Sequence, residues 1–156
     1  MHERLGSRLA IVIAVVLATL LGATHDASAA ERLSLGEVST SVTRRDVDVP
    51  ALLRTLATEE LRAVETSKAP RDARHRGAIV SVALVRMDTE SSAKGSASTC
   101  VVSVVLRDPA RGVLLALLNG RARAEDGARA ANAAERSAMQ ASLRSALSRI
   151  PEALAH

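Results

Sequence analysis

Hydrophobic residues alternate, then cluster at helical spacing, then alternate again along the chain, and this rhythm predicts its elements. From Arg32 to Thr43 the period is two. Leu33 and Leu35 share one phase, while Val38, Thr40 and Val42 take the opposite one, so a bulge is expected at Gly36-Glu37. Pro50 then stands where a helix can start. Leu53, Leu56, Ala57, Leu61 and Val64 follow on one helical face.

Ile79 to Met87 and Thr99 to Arg107 are Val-rich alternating runs, and Val113 to Ala122 is a third. The Ser-rich stretch Asp88 to Ser98 between the first two reads as an exposed loop. Asp108-Pro109-Ala110-Arg111-Gly112 has the chemistry of a tight turn. From Ala128 to Ile150 an Ala-rich stretch carries Met139, Leu143, Ala146, Leu147 and Ile150 on one stripe, with Pro151 as its stop. The order is strand, helix, three-strand meander, helix. This is an α+β arrangement in which two helices pack on one face of a four-stranded, mainly antiparallel sheet.

Two helices cover one sheet face, so the other must carry whatever the opposite phase holds. On the last two strands that phase places Val101, Val105, Val113, Leu115 and Leu117 together, beside Ser103 and Arg107. An aliphatic face open to water is a candidate surface for an envelope protein partner, a second copy or a lipid. Alternatively, the N-terminal segment and loops fold over it.

Before all this comes a short basic stretch with Arg4 and Arg8, an apolar run from Leu9 to Ala23, and Ala27-Ser28-Ala29. These are the three parts of a cleavable export signal, forming a signal-peptide helix over residues 1–29, with a single domain over 30–156. The run is short for a membrane-spanning helix, so no stable span is expected after cleavage, although retention as an anchor is the alternative. The expected destination is the periplasm or the medium.

Composition narrows the chemistry. The chain has 156 residues, a net charge of +4 and no Phe, Tyr or Trp. Without rings there is nothing to stack a base or a sugar, and the charge is too mild for nucleic-acid binding. Arginine exceeds lysine 19 to 2, a bias of GC-rich genomes. The basic stretch with Lys68, Arg71, Arg74 and Arg76 is a solvated loop or a contact for an anionic partner.

Catalytic constellations are not evident. His2, His25, His75 and His156 have no metal-ligand spacing, and neither phosphate-loop nor nucleophile-elbow motifs occur. No cofactor is expected. Glu59-Glu60 reads as a solvated helix pair with Arg62, and Glu125-Asp126 as acidic groups ahead of the last helix. Cys100 is the only cysteine. It is a buried hydrophobe, or else an intermolecular disulfide or a reactive thiol. The functional expectation is a non-enzymatic binding or assembly module of the cell envelope, acting through a sheet face or edge. The alternatives are a carrier of an apolar ligand and a thiol-dependent protein using Cys100 or His75.

The segment Cys100 to Arg121 is a strand, an Asp-Pro turn and a strand ending Asn-Gly-Arg, with the Ala-rich helix behind it. It resembles uncharacterised exported small α/β proteins of GC-rich bacteria. The element order is also similar to the lipopolysaccharide-assembly lipoprotein and the auxiliary lipoproteins of lipid-transport ABC systems. That resemblance implies an envelope role and carries over no functional residue. Those lipoproteins begin with a lipidated cysteine, which this chain lacks after its apolar run.

Overall fold

The first strand and the first helix are joined by a polar segment whose Asp48 carboxylate accepts the Ala51 N–H (3.0 Å), capping the helix just ahead of Pro50. In the computed structural model, residues 33–44, 46–66, 77–93, 95–127 and 131–155 are described. They form β1 (Leu33–Thr40), α1 (Val49–Thr66), β2 (Ala78–Ser92), β3 (Gly95–Arg107), β4 (Leu114–Asp126), α2 (Ala131–Leu147) and α3 (Ile150–Leu154). The sheet order is β1-β2-β3-β4, so strands adjacent in sequence are adjacent in space. β1 pairs with β2 in parallel through α1, and the other pairings are antiparallel. This is the expected α+β architecture.

Alternation decides which side each strand residue faces. Val80, Val82 and Leu84 of β2 and Val102, Val104 and Leu106 of β3 are fully buried. They join Leu53, Leu56 and Leu61 of α1 and Met139, Leu143 and Leu147 of α2 in one core. With no aromatic ring, that core is filled by many small branched side chains, and close approach of backbones replaces bulk. Gly120 shows how close. A Cβ there would collide with the Ser142 carbonyl of α2, so glycine lets the helix settle on β4. The β1 bulge is present too, between Leu35 and Val38.

Three expectations are corrected. Asp88 to Ser98 is not an exposed loop: β2 runs on to Ser92 and β3 starts at Gly95. The polar residues still alternate, with Ser96 and Ser98 buried. Cross-strand hydroxyl pairs, Thr89–Ser98 at 3.3 Å and Ser91–Ser96 at 3.2 Å, do the work of apolar pairs in the ladder. Pro151 does not close the last helix. α2 ends at Leu147, and Pro151 occupies the first turn of α3, where its missing N–H costs no hydrogen bond. Finally, Glu125 and Asp126 belong to β4, which runs past its expected end at Ala122.

Candidate functional site

The registers lay out the sheet face that α1 and α2 leave open. Across β2, β3 and β4 its rows are Ile79–Arg107–Leu114, Ser81–Val105–Leu117 and Ala83–Ser103–Asn119. They continue with Arg86–Val101–Arg121, Asp88–Thr99–Arg123 and Glu90–Ala97–Glu125. One half of this outer face is aliphatic or small, and the other is charged. In the charged half Arg86 pairs with Asp88, and Arg123 reaches Glu125 (3.3 Å) and Glu90 (3.7 Å). Such exposed pairs add little stability.

Of the sequence-derived face, Val101 and Val105 lie half-buried on this side, and Leu117 is 58 % exposed. Val113 is 55 % exposed at the end of the turn before β4. Leu115 is the exception. The ladder slips between Leu106 and Arg107, so Leu114 pairs with Arg107. Leu114 is 59 % exposed, whereas Leu115 packs against the core. An extra residue in one strand swaps the faces of its neighbours, which strict alternation does not anticipate. A second bulge exposes Val85, whose carbonyl accepts the Ser41 hydroxyl (2.7 Å).

The basic residues Lys68, Arg71, Arg74 and Arg76, together with His75, lie outside the described residues.

On the helix side a polar cluster that sequence reasoning missed surrounds Glu135 of α2. Its Oε1 accepts hydrogen bonds from Arg44 Nη1 (2.5 Å) and Thr89 Oγ1 (2.7 Å). Arg44 also grips Asp46 (3.1 Å), and these hydrogen bonds with Asp46 and then Glu135 hold its guanidinium above its ordinary pKa. Glu135 lies on the buried stripe with Ala138, a signal hidden by the Ala-rich setting. Glu60 is likewise buried and not solvated, because Arg144 and Gln140 of α2 close over it, while Glu59 stays exposed. The Arg144 hydrogen bond holds its carboxyl below the usual carboxylate range.

Cys100 is fully buried, with Sγ 4.0 Å from the Glu135 carbonyl oxygen. Burial pushes the thiol up to about 11, against a lowering hydrogen bond with Ser98 and with further raising from the charges of Glu135 and Asp88. A thiol in that state is protonated at neutral pH and a poor nucleophile. Every carboxylate near it is already bonded to an arginine or a hydroxyl. Among the described residues no group of His, Cys, Asp and Glu has metal-binding geometry, and no helix is long and apolar enough to cross a membrane. The hairpin end carries an open depression of about 250 Å³ lined by Ser91, Ser96, Arg123, Glu125 and Asp126, among others.

No family model matches the chain, and no curated protein matches it in sequence. Solved structures do match its fold. The PelC dodecamer from Paraburkholderia phytofirmans is 13% identical, with a TM-score of 0.50 over 76% of this chain and 89% of that one. The hypothetical protein CT253 from Chlamydia trachomatis is 9% identical, with a TM-score of 0.51 over 78% of this chain and 96% of that one. A minor lipoprotein from Acinetobacter baumannii is 12% identical, covering 80% of this chain and 94% of that one, with a TM-score of 0.44. For PelC and CT253, identities this low establish similarity of fold alone.

Proposed function

We propose that this protein is an exported, non-enzymatic assembly module of a bacterial cell envelope, whose working surface is the outer sheet face and whose first partner is a second copy of itself. The observation that carries the reading is the exposure of Leu117 and Leu114 beside half-buried Val105, on a face that neither long helix covers. Clustered aliphatic side chains left in water favour association. That PelC, a chain of similar fold, forms a dodecamer supports self-association as the form this takes. The N-terminal Leu9–Ala23 run and Ala27-Ser28-Ala29 supply the export part of the reading. The state of Cys100 weighs against a thiol-dependent role.

The test is sedimentation velocity on the exported protein and its Leu117→Asp variant, with pull-down from envelope extracts alongside. The variant is expected to fold normally and to lose the self-association of the parent. A parent that stays monomeric throughout, or a variant that associates equally well, refutes the reading.

A further inference from the structure

We propose that the tip formed by the Asp108–Gly112 turn and the start of β4 docks on an anionic lipid surface. This rests on the reading of the outer face as a working surface and adds a partner at one end of it.

The tip is a rigid platform. The Asp108 carboxylate accepts the N–H groups of Ala110 (2.8 Å) and Arg111 (2.9 Å). Gly112 N–H closes on the Asp108 carbonyl (2.8 Å), and Asp108 N–H on the Val113 carbonyl (2.9 Å). Gly112 has a φ of 67°, a conformation a side chain would strain. This turn presents Pro109, Ala110, Val113 and Leu114 to solvent between two exposed arginines, Arg107 and Arg111. Neither arginine forms an ion pair among the described residues.

Charge gives the face a direction. Among the described residues the turn carries one carboxylate, Asp108, which accepts the turn's own backbone N–H groups. Glu65 at this end of the sheet accepts the Leu33 N–H of β1, and Glu37 also lies on β1, at the opposite edge. The far end sets Asp88, Glu90, Glu125 and Asp126 against Arg86, Arg121 and Arg123, so its charges largely cancel. A second copy laid tip to tip would set like charges together, so the tip fits a surface that is anionic and accepts aliphatic side chains. A lipid headgroup layer is both. Docked this way, Val113 and Leu114 enter the interface, the arginines meet phosphates, and the charge-balanced end points away.

The experiment is co-sedimentation of the exported protein with vesicles of phosphatidylglycerol and phosphatidylcholine in equal parts, against phosphatidylcholine alone. Binding to the anionic vesicles that weakens with salt is expected. Neutralising each arginine should cost about fivefold in binding, so R107Q/R111Q should lose about 25-fold, and Leu114→Ser should weaken it separately. Circular dichroism and the thermal midpoint confirm that each variant folds. Equal binding to both vesicle types overturns the proposal. So does anionic binding that R107Q/R111Q leaves intact, or binding that inorganic phosphate displaces more strongly than sodium chloride at the same ionic strength, which would mark a small-anion site. If Leu117→Asp abolishes self-association while R107Q/R111Q binds vesicles like the parent, the tip proposal fails and the assembly reading stands.

Discussion

The Glu60 carboxylate on α1 accepts two hydrogen bonds from the Arg144 guanidinium on α2, Nη2 at 2.8 Å and Nε at 3.0 Å. Gln140 Nε2 adds a third at 2.8 Å. Glu60 itself is buried, while most of the Arg144 side chain is in water. The two helices are thus joined by a fork of charge-assisted bonds at the margin of the core. Because the fork holds the Glu60 carboxyl below its ordinary value, the pair stabilises the fold fully at neutral pH. That contribution is lost as pH falls from the ordinary glutamate value of about 4.3 through the folded-state value. Glu60→Gln should therefore destabilise by about 1 kcal/mol at pH 7. The difference from the parent should narrow in urea titrations below about pH 4, and a constant difference would mean that charge is irrelevant to the pair.

Gly120 makes a sharper prediction, because the obstacle is backbone. With the Ser142 carbonyl directly in the path of a Cβ, Gly120→Ala must lift α2 from β4 or bend the strand. Overpacking of that kind costs about 1–3 kcal/mol. Gly112→Ala strains the turn in a different way, through its positive φ, with open space around the added methyl. Both should lower the urea midpoint, but Gly120→Ala alone should also disturb the α2–β4 contact, read as faster amide exchange in α2.

Periodicity revealed the elements, and it failed where one residue or one polar pair overrides it. β1 was legible down to its bulge because Leu33, Leu35 and then Val38 change phase around a glycine. The slip that exchanges Leu114 and Leu115 was not, since both are leucines and no glycine or proline marks the extra residue. The hydroxyl-rich hairpin Thr89–Ser98 was hidden for another reason. Its inward residues find partners on a neighbouring strand and in Glu135, and those partners are fixed only by the fold. The candidate face was visible as a surplus of aliphatics in one phase. Its division into an aliphatic half and a charged half needed the β2–β3–β4 register.

Sidedness can be checked with two leucines. Leu106 is wholly buried and Leu117 is 58 % exposed, although they sit on adjacent strands with nearby partners in the ladder. Leu106→Ala should cost about 2–5 kcal/mol through lost contacts and the cavity left behind. Leu117→Ala should stay within about 0.5 kcal/mol of the parent in the same monomeric unfolding experiment. Comparable losses at the two sites would place Leu117 in a core and remove the open face altogether.

Cys100 tests the assignment of chemistry to the interior. Its sulfur is enclosed between Ser98, the Glu135 carbonyl and the core, and its thiol is pushed up to about 11. At pH 8 very little of it is thiolate, and a reagent must also wait for an opening of the fold. Labelling of the native protein by a thiol reagent should therefore be slow and should speed up steeply in urea. Its rate should track global stability, so Glu60→Gln should accelerate it by roughly fivefold, the factor that about 1 kcal/mol represents. Rapid native labelling at neutral pH would mean that the sulfur is reachable and activated, which the packing around Glu135 does not permit.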